Sequence, residues 1–220
     1  MRVKACIFDL DGTLLDTLED LANSCNAALA SVGLPQRSLE DVRAFVGNGV
    51  RMLMTRAVPS NTDAATFERA YAAFLEIYAR EKAHHTRPYA GISETVQAIN
   101  ARGIATAVLS NKDDDAVRAL CAQYFPNHFA WTQGMRDGIR PKPAPDALLA
   151  ICERLGVEVC EAVYIGDSEV DVDTARACGM PLIAVTWGFR SPEMLKASGA
   201  TTLAQRPEML LELLDQNNES

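Results

Sequence analysis

The sequence has no apolar run near the ~18–20 residues that a membrane-crossing helix requires. It has no Cys-x-x-Cys pair. Its six cysteines, at 6, 25, 121, 152, 160 and 178, are scattered and mostly set in apolar stretches. That spacing speaks against zinc and disulfides and for reduced, small hydrophobic residues. The three histidines, His84, His85 and His128, make no metal-ligand pattern. There is no Walker loop and no Gly-x-Ser-x-Gly elbow, and Gly47-x-Gly49 is followed by Met52 where a dinucleotide loop has its third glycine. No internal repeat occurs. Basic residues are outnumbered, 21 Lys and Arg against 29 Asp and Glu, for a net charge of −8. Such a chain repels nucleic-acid phosphates, so a nucleic-acid partner is not expected; without a long apolar run a membrane partner is not expected either. The start, Met1 to Asp9, does not read as a signal peptide, because its apolar stretch is short and stopped by an acid. A cytoplasmic protein is expected.

The same acidity would repel a phosphorylated metabolite, unless a metal or local cations invert the field at the site. What the chain does contain supplies both. Nearly continuous apolar runs at Val3 to Phe8, Ile104 to Ser110, Ala162 to Ile165 and Leu182 to Thr186 read as strands buried on both faces. Helical patterns lie between them. One begins near Ser93 and stops at Gly103, one follows Pro143 and Pro145 and stops at Gly156, and one runs from about Val170 to Gly179. The alternation predicts a doubly wound, parallel α/β sheet. From Asp16 to about His85 only helical patterns appear. Leu18, Leu21, Ala22, Cys25, Ala28, Leu29 and Val32 make one amphipathic stripe, and further patterns cover roughly Leu39–Phe45, Val50–Ala57 and Ala64–Arg80. This is expected to be an inserted helical subdomain, residues 16–85, with 1–15 and 86–220 forming the core. The tail Gln216 to Ser220 reads as frayed and polar.

Four short segments fall at strand ends or before a helix, where ligands bind in open α/β sheets. The first is Asp9-Leu10-Asp11-Gly12-Thr13. Two acids at i, i+2 share a side of an extended chain, and a pair suits a division between nucleophile and proton carrier. A calcium loop fails, since its sixth position is Leu14 and its twelfth Asp20. The second is Ser110-Asn111-Lys112, whose hydroxyl and amide could donate to phosphate oxygens; an ordinary turn is the competing reading. Asp113-Asp114-Asp115 then opens a helix with favourable charge at its N-terminus. The third is Pro141-Lys142-Pro143, in which flanking prolines hold Lys142 at a defined place. The fourth is Gly166-Asp167-Ser168-Glu169-Val170-Asp171. Asp167 and Asp171 can face one side if the helix starts there, and an all-oxygen set favours magnesium. Asp173 should point away to solvent. Together these segments suggest in-line attack by Asp9 on phosphorus. Magnesium, Lys142, Ser110 and backbone amides near Thr13 would hold the oxygens, while Asp11 passes a proton to the leaving group.

These four ordered motifs resemble those of the haloacid dehalogenase superfamily, over essentially the whole chain. The resemblance implies a Rossmann-like core with a helical cap of the C1 type that closes over the site. It implies Asp9 as nucleophile and Asp11 as acid/base, with Thr13, Ser110, Asn111 and Lys142 on the phosphate. Magnesium would be bound by Asp9, the Asp11 carbonyl and Asp167, with Asp171 supporting. True dehalogenases lack the second acid, so Asp11 points to phosphoryl transfer. Within the superfamily, Val46-Gly47-Asn48-Gly49-Val50-Arg51 through Arg56, Pro88-Tyr89-Ala90-Gly91 and Thr186-Trp187-Gly188 resemble phosphoglycolate phosphatases. Ala90 and Trp187 depart from residues frequent in that group. Gly47, Asn48, Gly49, Arg51 and Arg56 are then candidate specificity residues for a small phosphorylated metabolite, because a guanidinium suits a small carboxylate. Pyrophosphate, nucleotide and sugar-phosphate hydrolysis, a β-phosphoglucomutase-like transfer and a non-enzymatic binding module are the alternatives.

Overall fold

The computed structural model describes residues 2–219 and divides into two compact units. One is built from the chain up to Leu15 and from Pro88 onward, the other from Asp16–Arg87. The first unit opens with strand β1 (Ala5–Phe8), and β2 (Leu15–Asp16) carries the chain out. Helices α1 (Leu18–Ser31), α2 (Leu39–Phe45), α3 (Val50–Ala57) and α4 (Ala64–Glu81) follow, and β3 (Arg87–Pro88) brings it back. Then come α5 (Ile92–Ala101), β4 (Ala105–Asp113), α6 (Asp114–Tyr124), β5 (Trp131–Met135) and α7 (Asp146–Leu155). A 3-10 turn at Val159–Glu161 leads into β6 (Ala162–Gly166), α8 (Glu169–Cys178), β7 (Leu182–Val185), α9 (Pro192–Ala197), β8 (Leu203–Ala204) and α10 (Met209–Glu219).

The first unit is a doubly wound α/β fold. Six parallel strands lie in the order β5-β4-β1-β6-β7-β8. The order reverses at β1: the chain moves outward through β4 and β5, then returns past β1 to β6, β7 and β8. Ligand sites form beyond the carboxyl ends of strands at such a reversal. Every residue of β1 and β6 is buried, as continuous apolar strands covered on both faces should be. Ile7, Leu109 and Tyr164 of the sheet pack with Leu148 and Ile151 of α7 and Ala175 of α8. Full burial of each large side chain contributes about 1.5–3 kcal/mol, which fixes the strand ends that carry the motifs.

The second unit is helical. The α1 stripe Leu18, Leu21, Ala22, Cys25, Ala28 and Leu29 is buried, and Ser38 with Asp41 forms a capping box at α2. Asp20 is buried on α1, where its carboxylate accepts from the Thr86 amide at 2.8 Å and the Thr86 hydroxyl at 2.7 Å. It ties the first helix of this unit to its last residues.

Several expectations change. β4 runs three residues past Ser110, because Asp113 pairs with Met135 of β5 after a register shift. β5 and the short elements β8 and α9 carry too little hydropathic contrast to stand out in sequence. α10 continues to Glu219, so the tail expected to fray is helical that far; Ser220 lies outside the described residues. All six cysteines are free thiols. Among the described residues no helix is long and apolar enough to cross a membrane.

Candidate active site

Three strand ends of the first unit converge. Asp9 follows β1, Ser110-Asn111-Lys112 lies in the last stretch of β4 before Asp113, and Asp167 follows β6. Beyond them, Lys142 lies before α7 and Asp171 on the first turn of α8. Asp9, Thr13, Ser110, Asn111, Lys112, Lys142, Asp167 and Asp171 are all buried.

Asp9, Asp167 and Asp171 each place a carboxylate oxygen within 4.8 Å of the others. Asp167 is not on the helix with Asp171; it precedes the Ser168 N-cap, and the loop rather than i, i+4 spacing brings the two together. Lys142 Nζ stands 2.9 Å from Asp9 Oδ1 and 2.7 Å from Asp171 Oδ1, and donates to the Tyr164 hydroxyl at 2.9 Å. Burial pushes the Asp9 carboxyl up to about 7, against the pull of Lys142 and with added push from Asp171 and Asp11. Burial also lifts Asp167 well above the usual carboxylate range, reinforced by Asp171 and Asp9. For Lys142, burial disfavours the ammonium, but the carboxylates of Asp171 and Asp9 outweigh it and hold the group charged. Ionised together, the three acids would outweigh one lysine, an excess of buried negative charge that a divalent cation would offset and that protons relieve without it. The donors are all oxygen, the set that suits magnesium.

The candidate ligands are not equivalent. Asp171 Oδ1 accepts from Lys142 and from the Tyr164 hydroxyl at 3.0 Å, and Oδ2 accepts from the Ser168 amide at 3.0 Å and hydroxyl at 2.7 Å. Those four donors occupy the lone pairs of a carboxylate, so Asp171 is placed to support rather than to ligate directly. Asp167 accepts from the Phe189 amide at 2.7 Å and the Thr13 hydroxyl at 3.3 Å, one bond to each oxygen, which leaves it capacity.

Gly12 has φ +83° and a Cβ there would overlap the Asp167 carboxylate, so the first and fourth motifs can approach only through glycine. A Cβ on Gly188 would strike the Gly12 carbonyl and Asp167. Beside it, Trp187 Nε1 donates to the Thr13 carbonyl at 3.0 Å. The loop Trp187-Gly188-Phe189 thus grips both motifs, a role not evident from its sequence.

Two expected roles shift. The sequence suggests that Asn111 reaches a phosphate. Its Oδ1 instead accepts from the Lys142 amide at 2.9 Å and its Nδ2 donates to the Lys142 carbonyl at 3.0 Å, so it fixes the lysine's backbone. Arg51, read as a candidate for substrate carboxylate, is paired with Glu68 and lies 5.1 and 4.9 Å over the rings of Phe67 and Tyr71; an acid of its own unit already holds it. Arg56 donates to the Phe45 carbonyl and to Asn48 Oδ1, both at 2.8 Å, fastening the Gly47-Asn48-Gly49 turn that leads into α3. Asp113 caps α6 and Asp173 is exposed and paired with Arg176, as their sequence context suggests. Nothing in the motif spacing marks Tyr164 or the Lys112–Asp11 pair; a tyrosine inside an apolar strand is the one signal for the former.

Residues 6–185 match the model of the haloacid dehalogenase-like hydrolases. A curated relative, the phosphoglycolate phosphatase of Pseudomonas syringae pv. tomato, is 36% identical over 84% of this chain and 70% of its own length. The N-acetylmuramic acid 6-phosphate phosphatase of Pseudomonas aeruginosa is 33% identical over 98% of this chain and 96% of its own. A crystal structure from Lactobacillus delbrueckii subsp. bulgaricus, provisionally described as a phosphoglycolate phosphatase, superposes with a TM-score of 0.92 at 36% identity, covering 97% and 99% of the two chains.

Proposed function

The chain belongs to the haloacid dehalogenase-like hydrolases, and on that footing we propose that it is a magnesium-dependent phosphatase acting on a small phosphate monoester, 2-phosphoglycolate first among them. The observation that carries this reading is the buried placement of Asp9 beside Lys142, at 2.9 Å, within a cluster of three carboxylates. A carboxylate nucleophile there needs no general base to activate it. Asp9, Asp167 and the Asp11 main-chain carbonyl would hold the magnesium, which supplies positive charge to the phosphoryl oxygens.

Asp9 forms a bond to phosphorus as the ester P–O bond breaks. The departing electron pair stays on the leaving oxygen, which takes a proton from Asp11. Water then attacks the phosphoaspartyl group, its proton passes to Asp11, and the Asp9 carboxylate is regenerated with release of phosphate. Lys142 and the Ser110 hydroxyl orient the phosphoryl oxygens, and their charge and dipole are already in place before the reaction begins. Thr13 fixes the loop, its hydroxyl donating to Asp167 at 3.3 Å and its amide to the Leu10 carbonyl at 3.3 Å.

Selectivity we assign to Gly47-Asn48-Gly49 with Arg56. Support for 2-phosphoglycolate comes from the relatives that carry that name. A second reading, a sugar-derived phosphate, is suggested by the N-acetylmuramic acid 6-phosphate phosphatase, matched over 98% of this chain and 96% of its own length. A phosphate-release screen across phosphoglycolate, sugar phosphates, pyrophosphate and nucleotides, with magnesium and with chelator, decides between them. Highest kcat/KM on phosphoglycolate is expected. Highest kcat/KM on a sugar phosphate would select the second reading, and phosphoryl transfer without free phosphate would reject both.

A further inference from the structure

Lys112 takes no part in the chemistry assigned above, yet its placement is costly. The side chain is 3% exposed, at the end of β4. A buried ammonium is tolerated only when paired, and ordering a long stem carries an entropy cost. Its Nζ donates to both oxygens of Asp11, at 2.8 Å to Oδ1 and 3.0 Å to Oδ2. The partners are 101 residues apart in sequence, so the contact is made by the sheet, through the neighbouring strands β1 and β4. The other buried lysine of the site, Lys142, is directed instead to Asp9 and Asp171. The two lysines therefore divide the two acids of the first motif between them.

We propose that Lys112 is the positioning residue of Asp11. This rests on the phosphatase reading given above. With one donor engaging both oxygens of the ionised group, the carboxylate is held in a single orientation about its Cβ–Cγ bond; when Asp11 carries the proton it passes on, that proton sits on one oxygen and Lys112 keeps its bond to the other. A proton acceptor and donor must return to the same geometry twice in each turnover: once as the leaving oxygen takes the proton, and once as water gives one up. Lys112 gains and loses no proton in either half. It acts through Asp11 and touches neither phosphorus nor leaving group.

The test uses the full chain with magnesium and two substrates, an alkyl phosphate and p-nitrophenyl phosphate. Only the alkyl oxygen needs a proton to depart, so a fault in Asp11 appears mainly there. Lys112→Met is expected to lower kcat on the alkyl phosphate at least about tenfold more than on the aryl phosphate, with KM on either altered less than about threefold. Lys112→Arg, which keeps the charge, is expected to recover much of the loss. Asp11→Asn serves as the benchmark for the same split. Equal losses on both substrates would mean a structural role, and a rise in KM alone would mean direct substrate contact; either overturns the proposal. Should thermal melts show Lys112→Met unfolded, Lys112→Gln is read by the same criteria. If Asp11→Asn shows the split and the Lys112 variants do not, this inference fails while the phosphatase reading stands. If the wild type hydrolyses neither ester, both fall.

Discussion

Lys142 and Asp171 form a buried ion pair, Nζ to Oδ1 at 2.7 Å. The pair places a cation beside Asp9 that cannot move away, because Tyr164 and Asn111 brace it from the side chain and the backbone. Removing it would cost twice. The phosphoryl group would lose a fixed positive charge, and Asp9 and Asp171 would lose their shared partner. Lys142→Ala is expected to lower kcat/KM by two to three orders of magnitude, roughly 3–4 kcal/mol, with reduced thermal stability as well. Steady-state kinetics on an aryl phosphate checks this, and a change below about threefold would place Lys142 outside the reaction.

Asp9→Asn retains the size of the side chain and removes the nucleophile. Turnover should vanish while the circular dichroism spectrum and melting profile stay native. Acid-stable incorporation of phosphate is also expected to disappear in quenched-flow labelling. Normal turnover in this variant would end the covalent scheme.

The metal-free protein should show an unusual pH dependence of stability. A carboxyl raised from 3.8 to about 7 at Asp9, with Asp167 raised as well, binds a proton in the folded state where the unfolded chain does not. Stability is then greatest at the acid end of that window and declines as pH climbs from about 4 through about 7. Lys142 does not alter the sign, because its ordinary titration lies above this range. In chelator, Tm is expected to fall between about pH 5 and pH 7.5, and magnesium should raise Tm more at the upper pH, where both acids must otherwise ionise against each other. A Tm in chelator that rises across this range would contradict the buried-acid picture.

The parts of this site legible in the sequence are those made by one segment. Asp9-x-Asp11 after an apolar strand, Gly166-Asp167 after another, and the helix breaks at Gly33 and Gly156 are all local patterns. The insert was legible because four helical periods replaced the strand rhythm. What the sequence could not show is which groups from different segments meet. Lys112 and Asp11 are adjacent only because β4 and β1 pair in register. Asn111 looks like a phosphate donor until the Lys142 backbone is seen beside it. β5 was missed because Trp-Thr-Gln-Gly-Met alternates weakly, and its place at the sheet edge leaves it half covered.

Gly188 is expected to control metal affinity without touching the metal. A methyl group there would collide with the Gly12 carbonyl and the Asp167 Cβ, and neither is the free end of a flexible side chain. The Asp167 carboxylate would have to shift, and with it the donor geometry. Gly188→Ala should weaken magnesium binding about 10–100-fold, the usual scale for disturbing the support of a ligand. Isothermal titration with magnesium, or with manganese followed by paramagnetic resonance, measures this directly, independent of turnover. Unchanged affinity would show that the loop can yield.

Substrate choice should separate from chemistry at the helical insert. On the proposed reading the core motifs engage the phosphate and the metal, which are common to every candidate substrate, so preference is expected to come from other residues. Arg56 holds the Gly47-Asn48-Gly49 turn through the Phe45 carbonyl and Asn48, and a loosened turn would present its amides poorly to a ligand. Arg56→Ala is therefore expected to raise KM for 2-phosphoglycolate about tenfold, the scale of a charge-assisted hydrogen bond, while kcat/KM on p-nitrophenyl phosphate changes less than about threefold. Arg51→Ala should behave differently. Its guanidinium is committed to Glu68 and to two aromatic faces, so the variant should lose some stability and leave KM near wild type. That ion pair is exposed, which keeps the stability loss small. Kinetics of both variants on both substrates, with melts alongside, test the division. If Arg56→Ala slows both substrates equally, the turn serves folding alone and the specificity residues lie elsewhere in the insert.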